Sequence, residues 1–192
     1  MRWEQLFADL EAQYDELAEA ALWADLADRQ RLEFGAVGMV ARLLGAVEQP
    51  VRLRAGAVTV SGILKTVGPD WVLVAEAPGR DAVVALAHLT IAEGLTAKTG
   101  RPLGPVAQKL TLRSALRGLA LDRAPVSLVL ADTSAGQSAG AGDVTGTLDR
   151  IGADFVEMAV HAAWELRRPA GVRRSALVPL PAIAVVRSQP LG

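Results

Sequence analysis

GILKTVGPDWVLVA, residues 62–75, has a counterpart later in the same chain, GTLDRIGADFVEMA, residues 146–159. Gly62, Leu64, Gly68, Asp70, Val72 and Ala75 meet Gly146, Leu148, Gly152, Asp154, Val156 and Ala159 at one constant offset. Val67 meets Ile151, and Trp71 meets Phe155. Chance rarely keeps both glycines, the aspartate and the apolar positions together. An internal repeat of this length marks a duplicated structural unit. Upstream, Pro50, Val51 and Leu53 meet Pro125, Val126 and Leu128; downstream, Ala82, Val84 and Leu86 meet Ala176, Val178 and Leu180.

Within each copy the apolar residues alternate with a period of two, as in half-buried strands. The expected strands are 51–54, 58–66, 71–76, 82–86 and 88–92, then 126–131, 143–151, 154–160, 174–179 and 182–187. Gly68, Asp70, Gly152 and Asp154 mark tight turns between strands, and the two aspartates are expected to cap those turns. Pro179 and Pro181 fit an edge or a bend better than a central strand. The second copy is longer at 133–142 and 161–174, which read as enlarged hairpin loops. Helical stretches at 29–47 and 104–123 precede the two copies, and Pro105 suits a first helical turn. The chain thus divides into an acidic amphipathic helix (1–29), a helix with the first copy (30–94), a Gly/Pro-containing linker (95–104) and a helix with the second copy (105–188).

A helix followed by five short strands, with G-x-L-x-x-V-x-x-D-aromatic-V across the second and third, resembles the Sm-like fold. The segments that carry this resemblance are Gly62 to Val74 and Gly146 to Met158. The resemblance implies a mainly β protein with helices. It would hold two Sm-like five-stranded open barrels, each preceded by a helix, plus the long N-terminal amphipathic helix. It also implies units that associate by pairing strand four of one with strand five of the next. At the places of that family's RNA-contacting motifs the chain departs from it, with Val72-Leu73 and Leu86-Ala87-His88 in the first copy and Pro179-Leu180-Pro181-Ala182 in the second. Of these, His88 resembles the pocket histidine of the bacterial RNA chaperones. As a whole the chain also resembles proteins of high-GC Gram-positive bacteria.

Composition sets the outer limits. Hydrophobic residues are 51% and charged residues 21% of the 192, enough for a buried core, while aromatics at 4% imply thin cores. Lys65, Lys98 and Lys109 are the only lysines among 20 basic residues, a bias that fits a high-GC genome. There is no cysteine, so disulfides, thiolate nucleophiles and cysteine zinc sites are excluded. Residues 1–30 are too acidic for a secretory leader, and no apolar run approaches the ~20 residues that span a bilayer. A cytoplasmic protein without membrane contact is expected. The net charge of −1 hides an asymmetry: residues 1–30 hold eight acidic groups against Arg2 and Arg29. An acidic arm on a mildly basic body suggests an interaction segment.

The candidate sites are few. His88 and His161 fall at non-equivalent places and have no neighbours that suggest a catalytic triad or a zinc site. No catalytic constellation, cofactor motif, metal site or small-molecule substrate is indicated, so the chain is expected not to be an enzyme. GQSAGAGDVTG precedes a strand rather than a helix, unlike a phosphate loop. Arg167, Arg168, Arg173 and Arg174 form a basic cluster with Trp164 nearby, a set that could contact nucleic acid or tether the acidic helix. Trp3, Phe7, Leu10, Tyr14, Leu17, Ala21 and Ala24 recur at spacings of four and three, a seam for another helix or chain. The expected function is a non-enzymatic interaction or scaffold protein that self-associates or binds another protein through this helix. The alternative is an RNA-binding Sm-like regulator that assembles into oligomers and works through the basic loop.

Overall fold

A computed structural model describes residues 2–131, 143–161 and 174–188; in the first helix the side chains at 2, 4–6, 8–12, 15 and 27 fall outside this description. The chain separates into two compact units, Met1–Gly38 and Met39–Gly192. The first unit is one helix, α1 (Arg2–Gly35). It runs on past 29 into the stretch 29–47 that is expected to be helical, whose first residues are good helix formers, but only as far as Gly35. Asp25–Arg29 (2.8 Å) and Asp28–Arg31 pair along the surface of that last stretch. The helix stops at the first glycine.

The second unit opens with a six-residue helix, α2 (Met39–Leu44). The strands β1 (Pro50–Ala55), β2 (Val58–Val67), β3 (Trp71–Ala77), β4 (Arg80–Ala85) and β5 (Leu89–Glu93) follow. Helix α3 (Leu112–Asp122) then precedes β6 (Pro125–Leu130), β7 (Val144–Ile151), β8 (Phe155–Val160), β9 (Arg174–Pro179) and β10 (Ile183–Ser188). Every expected strand is present within two residues of its expected bounds. All ten form one antiparallel sheet in the order β5-β1-β2-β3-β4-β10-β6-β7-β8-β9, open at both ends.

The two halves of this sheet repeat one another in register. Val51 lies opposite Gly62 as Val126 lies opposite Gly146, and Trp71 opposite Ala85 as Phe155 opposite Pro179. β2 is irregular between Leu64 and Thr66, and β7 between Leu148 and Arg150, so even the bulge is shared. Gly68 N–H donates to the Trp71 carbonyl (2.8 Å), and Gly152 N–H to the Phe155 carbonyl (2.9 Å), with the aromatic ring lying where a glycine Cβ would be. Gly62 and Gly146 are needed for a similar reason. A Cβ at either would overlap the carbonyl oxygen of Ala75 or Ala159 on the next strand.

The halves do not stand as separate domains. β4 pairs with β10, Val84 opposite Val185 and Val83 opposite Val186, and the cores cross this seam. Val129, Ala184 and Val185 of the second half complete the core built on Leu53, Val60, Leu64, Val72 and Val74. Val83 and Ala85 of the first half complete the core around Leu116, Leu128, Leu148, Val156 and Met158. The expected second helix is shorter. Residues 104–111 hold only a 3-10 turn, Ala107–Lys109, and α3 begins at Leu112 rather than after Pro105. Trp71 explains part of the delay, because its indole N–H donates to the Leu110 carbonyl (2.7 Å) and holds that backbone outside the helix.

Replacing Gly146 with Ala should cost about 1–3 kcal/mol, the usual range for overpacking. The urea midpoint of the full chain measures this, and Gly104→Ala, where a Cβ meets nothing within 4 Å, should leave it almost unchanged.

Candidate functional site: the two open strand edges

The seam inside the chain shows what each strand edge looks like when covered. Arg187 on β10 donates through Nε (3.0 Å) and Nη2 (3.2 Å) to the two carboxylate oxygens of Glu76, and Nη2 also reaches the Thr59 carbonyl (3.3 Å). The Ser188 hydroxyl accepts from the Asp81 N–H (2.8 Å) and donates to the Asp81 carbonyl (3.2 Å). His88 Nε2 donates to the Pro181 carbonyl (2.7 Å), joining the short 3-10 turns of the two halves, Leu86–His88 and Leu180–Ala182. Such a seam combines backbone pairing, apolar burial and a largely desolvated ion pair.

The outer ends of the sheet present the same positions uncovered. By the shared register, β9 is the counterpart of β4, and β5 of β10. Leu177 is 61% exposed, whereas its counterpart Val83 is 6% exposed within the seam. Ile91 is 45% exposed, whereas its counterpart Val185 is fully buried. Beside β5, Arg52, Arg54, Thr59, Ile91 and Glu93 line an open groove on the sheet, and Arg52 lies 3.9 Å from Glu93. Unpaired strand edges with apolar side chains are templates for another strand.

The residues singled out from sequence are distributed unevenly around these edges. Arg174 is exposed at the start of β9, while Arg167, Arg168, Arg173 and Trp164 lie outside the described residues. The two expected enlarged loops, 133–142 and most of 161–174, also lie outside them. His88 is half-buried and engaged at the seam through Pro181. On α1, Trp3, Phe7, Tyr14 and Leu17 are exposed, and the side chain of Leu10 lies outside the described residues. Leu22, Trp23, Leu26, Leu32 and Phe34 on the same helix are exposed too, so apolar exposure is wider than the seam read from spacing.

Asp70 and Asp154 share a backbone role but not a side-chain one. Their carbonyls accept from Leu86 N–H (2.9 Å) and Leu180 N–H (2.8 Å) respectively. Asp70 Oδ1 also accepts from Leu112 N–H (2.8 Å), which caps the start of α3 in the other half. Thr111, next to that start, makes no side-chain cap bond. This capping has no signal in the sequence, since it joins residues far apart in the chain.

A buried polar pair was likewise not anticipated. His161 and Thr147 are 4% and 1% exposed, and Thr147 Oγ1 lies 2.8 Å from His161 Nε2. Its only sequence signal is a histidine directly after the apolar run of β8. No group of three or more His, Asp or Glu able to hold a metal ion occurs among the described residues, and no helix among them is long and apolar enough to cross a membrane. No protein-family model matches this chain, and no curated protein is similar to it in sequence.

Replacing Asp70 with Ala should destabilise the fold by about 1 kcal/mol, the usual loss for a helix cap. Asp154→Ala, at an exposed position, should stay within about 0.5 kcal/mol. Denaturation midpoints of the two variants check the difference.

Proposed function

We propose that this chain is a cytoplasmic, non-enzymatic scaffold built from two Sm-like open-barrel units, and that it self-associates head to tail through β5 and β9. The observation that carries the reading is the contrast at equivalent positions. Leu177 and Ile91 stand exposed at the ends of the sheet, whereas Val83 and Val185 are buried where the same two kinds of edge meet inside the chain. A second copy would bring β9 to β5 as β4 is brought to β10. Such a contact is heterologous, because the two surfaces differ, and it closes into a ring or runs on as a filament according to the rotation at each step. The exposed apolar residues of α1 supply a second surface of the same kind.

The absence of cysteine from the natural sequence makes the register directly testable. Transferring the internal pairing of Val186 with Val83 puts Ala92 of one copy opposite Leu177 of the next. A chain carrying Ala92→Cys and Leu177→Cys should form disulfide-linked multimers on mild oxidation. A chain carrying Ala92→Cys and Ser175→Cys should form few. Size in solution is the companion measurement, with Leu177→Asp expected to reduce the assembly to single chains. A wild-type chain that stays monomeric at all concentrations, or cross-linking that ignores register, would sink the reading.

A further inference from the structure

Resting on that head-to-tail reading, we propose that the contact between chains is held by charge, with Glu93 of one copy facing Arg174 of the next. The seam inside the chain is mainly apolar, and the outer edges carry different residues at the matching places. Position by position, Arg54 stands where Val129 is buried, Thr90 where Ala184 is buried, and Glu93 where Arg187 lies. On the opposing edge, Arg174 corresponds to Arg80 of β4, and Asp143 to Thr59 before β7. A contact between copies is therefore no replica of the internal one.

The transferred register sets the geometry. Arg187 pairs with Ala82, so Glu93 comes opposite Ala176, and Arg174 sits two residues further along the same face of β9. Diagonal neighbours of this kind lie within reach of long side chains. Arg187 also touches the Thr59 carbonyl, which places the counterpart Asp143 beside the same stretch. Arg52 and Arg54 bring cations to it from β1, and Arg52, 3.9 Å from Glu93 in its own chain, offsets the proximity of two carboxylates. Glu93 and Arg52 are both well exposed in the single chain, so their charges are free to meet a partner at little desolvation cost.

Charge at this position makes the assembly reversible where the internal seam is not. Exposed charges are screened beyond ~10 Å at ordinary ionic strength. The Glu76–Arg187 pair, at 15% and 22% exposure and backed by two cores, is shielded from that effect. Like charges set against each other at an interface oppose association, so reversal of one partner should be decisive.

The test is self-association of the full chain measured by sedimentation in low and high sodium chloride. Glu93→Arg and Arg174→Glu should each weaken association by about tenfold or more in low salt. The chain carrying both substitutions should recover most of it, and high salt should weaken the wild type. Recovery in the double variant is the result a merely structural effect would not produce. If both single variants assemble like the wild type while Leu177→Asp does not, the charge pairing is overturned and the head-to-tail reading stands. If Leu177→Asp assembles equally well, or the wild type never assembles, both are overturned.

Discussion

The pairing of β4 with β10 is the constraint on which the body of this protein depends. Each half alone is a five-strand set whose outer strand leaves apolar side chains in water. Joining the halves at this seam buries Val83 and Ala85 in one core and Val129, Ala184 and Val185 in the other. Neither core is complete without residues from the opposite half. The hydrophobic gain at the seam therefore stabilises both halves at once, and the Glu76–Arg187 pair fixes its register at the rim.

Two further elements follow from that seam. Trp71 packs on the core of the second half while its indole nitrogen holds the Leu110 carbonyl, and Asp70 in the adjoining turn caps α3. One hairpin tip of the first half thus sets where the helix of the second half begins. The divergence of the copies has the same logic. The inward strand β6 carries Ser127 and Val129 where β1, near the open edge, carries Arg52 and Arg54. A duplicated unit keeps its apolar face where it is covered and acquires charge where it is not.

Much of the body was legible in the sequence because it rests on local signals. Alternation marked the strands, and Gly68 and Gly152 marked the turns, whereas the close approach of Gly62 and Gly146 to the next strand is seen only in the structure. The offset between the copies anticipated the registers that the sheet shows. What was not legible came from contacts between distant segments. Asp70 capping Leu112, Trp71 bonding Leu110 and His88 bonding Pro181 depend on how the halves meet, which no spacing within one copy reveals. The helical stretch expected at 29–47 is divided at the glycines, its first part running on from α1 as far as Gly35 and only Met39–Leu44 of the rest being helical. Of the candidate site, the importance of Leu177 and Ile91 was missed, because each reads as an ordinary strand residue until its buried counterpart is seen.

The seam also imposes an order of events at the ribosome. β1 to β5 pair among themselves and are synthesised well before β10, whose residues complete their core. In that interval Val83 and Ala85 have no cover, because the strand that shields them is the last of the ten to be synthesised. A nascent half-chain is thus at its most adhesive just when neighbouring polysomes bring identical half-chains close. Slow translation through the second half would lengthen that exposure.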